Sequence, residues 1–322
     1  MGSLPGDDIV EATRVVFGEL PELPHLPELP ERGPGADMIG RAAALLVELP
    51  IELYASQWRL AARPGVDLRR ARDFAERDLD ALTEQADSYQ GPLKIQSTGP
   101  WTLAATLDLP VGGKVLRDRG AVRDVTAALA EGLTEHLAQV RARVPGAAPV
   151  LQLDEPMLPS VLAGAIPTES GLHRYRPVAE SYAEQVLSAL IQRVDVPVVI
   201  HCCAPNVPIG LLRGAGASAV SLDLDLLGLD DAKALDMLGE ALDSGVGLFA
   251  GAVPTAPPAP EPVQVADRIR DLWRRFGFPA DQLPEQVVLT PACGLVSAAP
   301  DYAREAMTVC REAASRLADN PG

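Results

Sequence analysis

The sequence predicts an α/β protein built as a parallel, eight-stranded (β/α)8 barrel with a Pro-rich N-terminal extension. Short β-branched apolar runs alternate with amphipathic helical patterns of ten to twenty residues, which is the signature of βαβ units and a parallel sheet. Polar residues collect at the C-terminal ends of those runs, where barrels of this kind carry their working groups. No Gly-rich dinucleotide fingerprint follows any run, which disfavours a doubly wound sheet. At 322 residues the chain fits one barrel of about 250 residues with extensions, so it is read as one unit, 1–322, without an internal boundary.

Each element has its own warrant. IVEATRVVFGEL has helical period, and the five prolines of LPELPHLPELPERGPG exclude helix and central strand. That segment, with His25 in it, is expected to run extended across the surface. MIGRAAALLVEL reads as helix and PIELYASQW as strand into loop; the charged, Ala- and Leu-rich stretch 66–88 is a solvated helix. GPLKIQSTGPW, PVLQLDEP, VPVVIHCC, ASAVSLDLD, VGLFAGAV and QVVLTPACG are strands separated by helical stretches. With a stub at Met1–Ser3 and the strand Pro50–Tyr54, the expected strand count reaches eight.

Composition narrows the partners. A net charge of −16 with no basic run argues against nucleic acid and anionic membrane surfaces. Apolar runs fall short of the roughly 18 to 20 residues of a spanning helix, and no basic-then-apolar signal follows Met1, so the expected location is cytoplasmic. Four cysteines, two of them adjacent, are too few for a disulfide framework and suit a reduced compartment.

The chemistry centres on VPVVIHCCAPNV. Alternation along a strand turns His201 and Cys203 to one face and Cys202 to the other. Cys293, in LTPACGL, and Asp223 or Asp225, in SLDLD, end two further strands. Imidazole, two thiols and a carboxylate form a donor set that suits Zn²⁺ better than Mg²⁺ or Ca²⁺. The competing reading, small buried cysteines and a hydrogen-bonded polar layer, loses ground because Gln96, Thr98, Gln152, Asp154 and Ser221 crowd the same mouth, and a buried carboxylate needs a partner.

GPWTL, LQLDEP, VVIHCC, AVSLD and TPACGL, in that order, together with GSLPG at the start, resemble the motifs of the catalytic barrel of cobalamin-independent methionine synthase, in a short single-barrel form. The resemblance implies a zinc-dependent methyltransferase acting on the thiol of homocysteine. It implies His201, Cys203 and Cys293 as metal ligands and Asp223 as the acidic fourth, where the family carries Glu. A strand rises about 3.3 Å per residue, so Asp225 would sit further toward solvent. It implies that Asp154 holds the substrate ammonium and that Ser3 lies where its carboxylate is held. Trp101, after Gly99–Pro100, could stack on a flat donor or simply pack. The family's catalytic His, in an Asp-Ile-His-Ser segment, has no counterpart in AVPTAPPAPEP, and the N-terminal barrel of full-length members is not in this sequence. From those two departures the expected methyl donor is a methylated corrinoid carried by another protein, with His25 folding over the mouth as the alternative if a folate is used. The rival readings are a corrinoid-linked thiol methyltransferase, a uroporphyrinogen decarboxylase-like barrel, and a zinc- and thiol-binding barrel without turnover.

Overall fold

The N-terminal quarter is organised by caps and a buried ion network. Asp8 accepts from the backbone of Val10 and Glu11 to start α1 (Ile9–Glu19), and Asp37 accepts from Gly40 to start α2 (Met38–Ala44). The strand expected at Pro50–Tyr54 forms as β1 (Ile51–Tyr54), but it pairs antiparallel with β2 (Gln57–Leu60) and takes no place in the main sheet. Ala55 and Ser56 both have positive φ, 47° and 65°, the conformation of the two-residue turn that matches strand twist in a hairpin. α3 (Val66–Gln85) follows, as its period requires.

The computed structural model describes residues 2–228 and 232–322. Among these, six strands lie side by side in sequence order, all parallel: β3 (Gly91–Thr98), β4 (Ala147–Asp154), β5 (Val198–Cys202), β6 (Ala219–Asp223), β7 (Gly247–Val253) and β8 (Val287–Pro291). Between and after them run α4 (Pro100–Thr106), α5 (Arg119–Arg143), α6 (Leu158–Leu162), α7 (Glu180–Ile191), α8 (Ile209–Gly214), α9 (Ala232–Asp243), α10 (Pro262–Phe276), α11 (Leu283–Gln286) and α12 (Pro300–Asp319). The sheet curls. One apolar core lies between strands and helices, and a second, small cluster of Val199, Ala219 and Phe249 with Leu23, Val150 and Val288 fills the concave side. These alternate with the strand residues that face the helices, as period two demands.

The expected eight strands are therefore six strands and two bridging segments. Of the stub at Met1–Ser3, Met1 lies outside the described residues, as does Asp231 at the start of the helix that becomes α9. Ser3 makes one parallel bridge to Glu28, and His25 makes one to Lys94 of β3. The Pro-rich segment is thus part of the wall and not a surface strap: Leu26 and Leu29 are buried, and so are His25 and Glu28. Proline spacing forbids a continuous ladder but leaves alternate amides free, and Leu26 N–H donates to the Lys94 carbonyl while Lys94 N–H donates to that of Pro24. His25 lies beside Lys94, four residues before the β3 terminus, roughly 13 Å below the mouth. The expectation that it folds over the mouth is corrected.

Ionic contacts pin that segment. Arg32 meets Asp78 of α3 through two bonds of 2.6 and 3.0 Å, and Arg41 of α2 reaches both Asp78 and, at 3.2 Å, Glu28. The Asp78 side chain is wholly buried. Burial, with Arg41 and Arg143 nearby, pushes His136 down to about 4, so it stays uncharged beside these cations.

Candidate metal and substrate site

Inward-facing positions become polar above the apolar plug. In register, Gln152 and Asp154 of β4, His201 of β5, Ser221 and Asp223 of β6 and Thr290 of β8 take the next steps up their strands. Strand ends bring His201, Cys203 and Cys293 together, with their potential ligand atoms all within 4.8 Å of one another. The two Sγ atoms are 2.9 Å apart, and Cys293 Sγ is 3.8 Å from His201 Nε2. Cys203 and Cys293 are half-buried free thiols, close enough to share one proton. The thiol contact with Cys203, with help from His201, holds Cys293 well below the ordinary thiol range, while the same contact and burial push Cys203 up. Two thiolates this close would repel, and a cation between them relieves that.

His201 is oriented for the same purpose. Its Nδ1 lies 3.2 Å from the Ser221 carbonyl, which can only accept, and 3.1 Å from the Ser221 hydroxyl. Nδ1 therefore carries the proton, and Nε2 turns its lone pair toward the thiols. The donor chemistry fits a borderline-soft divalent ion. Cys202 faces the other way, fully buried, its thiol pushed up to about 12 by burial.

Asp223 lies outside the three-residue cluster. It is half-buried, accepts from the Asp225 backbone at 2.9 Å, and burial raises its carboxyl above the usual range. Asp225 is exposed and paired with Arg268 at 2.7 Å. Two glycines let neighbouring segments approach closely beside the site. A Cβ on Gly251 would stand 2.5 Å from the Leu222 carbonyl oxygen, and one on Gly294 would stand 2.0 Å from Ser3 Oγ. Ser3 is tied to the same loop because its carbonyl accepts from Leu295 N–H.

At the neighbouring rim, Gln152 Nε2 donates to Asp154 Oδ1 at 2.7 Å. Among the described residues, Gln152 Oε1 is buried without a partner, so an acceptor beside Asp154 awaits a donor. Lys94, which burial lowers to about 8 against the pull of Asp154 and Glu28, donates to Gln96 Oε1 at 2.9 Å. Glu155, with burial raising it to about 7, accepts from Trp101 N–H, Thr102 N–H and the Thr102 hydroxyl and so fixes the start of α4. The stacking role considered for Trp101 is corrected: its ring is fully buried, its indole N–H donates to the Ala183 carbonyl at 3.1 Å, and it meets Tyr182 edge-on. Sequence reasoning missed Glu28 and Lys94, because one sits in a proline-rich stretch and the other within an apolar strand. The only legible signal was a lysine two positions before Gln96 on the inward face.

A family profile described as the catalytic domain of cobalamin-independent synthase matches residues 93–316. Among solved structures, a B12-independent methionine synthase from Shewanella sp. W3-18-1 in complex with selenomethionine superimposes with a TM-score of 0.64. That likeness covers 99% of this chain and 96% of that one at 14% identity, which speaks to the fold alone. A mandelate oxidase with (S)-4-hydroxymandelic acid, at TM-score 0.32, 15% identity and coverage of 96% and 93%, is too distant to bear on it. No curated protein sequence matches. Among the described residues, no helix is long and apolar enough to cross a membrane.

The family overturns one expectation. A cobalamin-independent synthase does not take its methyl group from a corrinoid, so the corrinoid-carrying partner is corrected. The profile spans more than two thirds of the chain and takes in the three-residue metal cluster, and the chain belongs to the cobalamin-independent synthase catalytic-domain family, methyltransferases of the methionine synthase kind.

Proposed function

We propose that the protein transfers a methyl group from an N-methyl donor of the reduced folate class to the thiol of homocysteine, with Zn²⁺ held by His201, Cys203 and Cys293. The convergence of these three residues carries the reading. Asp223 is the acidic fourth ligand. Among the described residues no cation pairs with its half-buried carboxylate, whereas Asp225 pairs with Arg268. Bound there, Zn²⁺ would lower the pKa of a substrate thiol from about 8.5, so that it reacts as a thiolate at neutral pH.

The chain's own groups do the positioning. Asp154 accepts the substrate ammonium, and the unpartnered Gln152 Oε1 offers a second acceptor for it. Ser3, whose hydroxyl lies against Gly294 next to Cys293, takes the substrate carboxylate in this reading. Fixing the amino-acid end orients the sulfur for in-line attack, which is the larger part of what such a site contributes. In the transfer a C–S bond forms and the donor's C–N bond breaks. The proton that the thiol loses balances the one that the leaving nitrogen gains, so no net acid is consumed.

A coupled assay of zinc-loaded protein with homocysteine and methyltetrahydrofolate should yield methionine. Metal and homocysteine binding without methionine from this donor would reject the proposal and favour a thiol-binding barrel. Asp154→Asn keeps the shape and removes the charge. Its loss of a charge-assisted bond should cost about 1.5–3 kcal/mol, roughly 10- to 150-fold in homocysteine affinity by calorimetry. An affinity equal to that of the parent would remove Asp154 from the substrate site.

A further inference from the structure

Buried charges alternate in sign from α3 into the curl of the sheet. Asp78 lies between Arg32 and Arg41, Arg41 also reaches Glu28 at 3.2 Å, and Lys94 is drawn by both Glu28 and Asp154. The row ends on Asp154, the proposed ammonium partner. Its last cation is unlike the other two. Arg32 and Arg41 meet carboxylates directly, and a guanidinium does not give up its proton. Lys94 is 3% exposed, and among the described residues its Nζ meets no carboxylate directly; it donates to Gln96 Oε1 at 2.9 Å. A buried ammonium held only by an amide is costly and loses its proton readily, and burial does lower Lys94 to about 8.

Register places this cation under the substrate carboxylate. Gln96 pairs with Gln152 and Thr98 with Asp154, so Lys94 reaches the glutamine layer immediately beneath Asp154. Both glutamines are held there: Gln96 Nε2 donates to the Leu26 carbonyl and Gln152 Nε2 to Asp154 Oδ1, each at 2.7 Å. The ammonium of an amino acid therefore meets a carboxylate already balanced from below. Two cations on one buried carboxylate repel, and Lys94 is the one that can become neutral in place.

We propose that Lys94 is a positioning residue of the amino-acid subsite, the internal counter-ion that Asp154 exchanges for the substrate ammonium. With the site empty, Lys94 carries the charge beside Asp154. On binding, an N–H bond of Lys94 breaks, its proton passes to solvent and the neutral amine stays bonded to Gln96, so one proton is released per amino acid bound. This rests on Asp154 holding the ammonium, as in the proposed function. The other titratable groups facing Lys94 are Glu28 and His25, with Glu155 beyond Asp154; burial raises both glutamates and keeps His25 uncharged.

Methionine is the probe, because a thioether has no thiol proton to lose. Calorimetry of the zinc-loaded full chain in buffers of different ionisation enthalpy reads the release. The parent should release close to one proton near pH 7, and its affinity should rise roughly tenfold per pH unit from pH 6 to 7 and level off near 8. Lys94→Met should release none and bind roughly tenfold or more tighter than the parent at pH 6.5. Lys94→Arg, with its permanent charge, should release none either, and its affinity should not rise with pH. A parent that binds without releasing a proton overturns the proposal, whether or not the variants fold. Release that persists in Lys94→Met would come from Glu28 or Glu155, and weaker binding of that variant at every pH would make Lys94 a direct substrate contact; either result overturns it. Asp154→Asn separates the two readings. Methionine binding that this variant leaves unchanged, or none by the parent, rejects the ammonium site itself, whereas binding that depends on Asp154 without proton release rejects the exchange alone.

Discussion

Alanine at Cys203 or at Cys293 is expected to abolish stable metal binding, with affinity falling by more than roughly 100-fold. Even outer residues that orient metal ligands cost about 10- to 100-fold when removed, and each of these thiols is itself one of three converging donors. Elemental analysis after desalting should find about one zinc per parent chain and almost none in either variant. Cys202→Ala should keep its zinc, since that thiol is buried on the opposite face. Asp223→Asn should weaken binding and Asp225→Asn should not, because the latter carboxylate already serves Arg268. Full zinc in both cysteine variants would remove the centre from this site, and a loss seen only with Asp225→Asn would reverse the choice of carboxylate.

Asp78→Asn should destabilise the fold by about 3–5 kcal/mol, the cost of breaking a buried ion pair and leaving its partners uncompensated. Asp78 is fully buried between Arg32 and Arg41, and both arginines are themselves nearly buried. No rearrangement short of opening the α2–α3 contact returns those guanidinium groups to water. Urea denaturation is the measurement: the midpoint should fall while the slope stays as in the parent. Asp225→Asn is the internal control, since its exposed pair with Arg268 should change stability by no more than about 1 kcal/mol. Equal midpoints for the two variants would show that the Arg32–Asp78–Arg41 network is dispensable.

The same network marks a limit of sequence reading. Arg32, Arg41 and Asp78 are ordinary charged residues in their local patterns, and nothing in spacing says that a carboxylate on α3 faces two arginines from separate segments. His25 failed similarly: a histidine between prolines usually lies in water, but here apolar Leu26 and Leu29 carry the segment inside. Trp101 stood at a strand end, where a rim aromatic is reasonable. Its burial follows from the packing of α4 on α7, a contact between distant stretches of chain.

By itself the sequence determined the six parallel strands and the ends at which chemistry collects. Period-two apolar runs, helices of the right length between them and polar residues closing each run are local properties, and local propensity and burial pattern agree along this part of the chain. It also determined that His201 and Cys203 share a face and that Cys202 does not, because alternation is a property of the strand. Tertiary structure alone decided that Cys293, ninety residues further on, meets Cys203 at 2.9 Å, and that Ser221 fixes the tautomer of His201. It alone decided that the Pro50–Tyr54 strand leaves the sheet for a hairpin while a proline-rich segment enters the wall. The physical reason is the same in each case. Hydrogen-bond partners and burial are set by which segments the closing sheet brings face to face, and that choice is made by long-range contacts which no local pattern encodes.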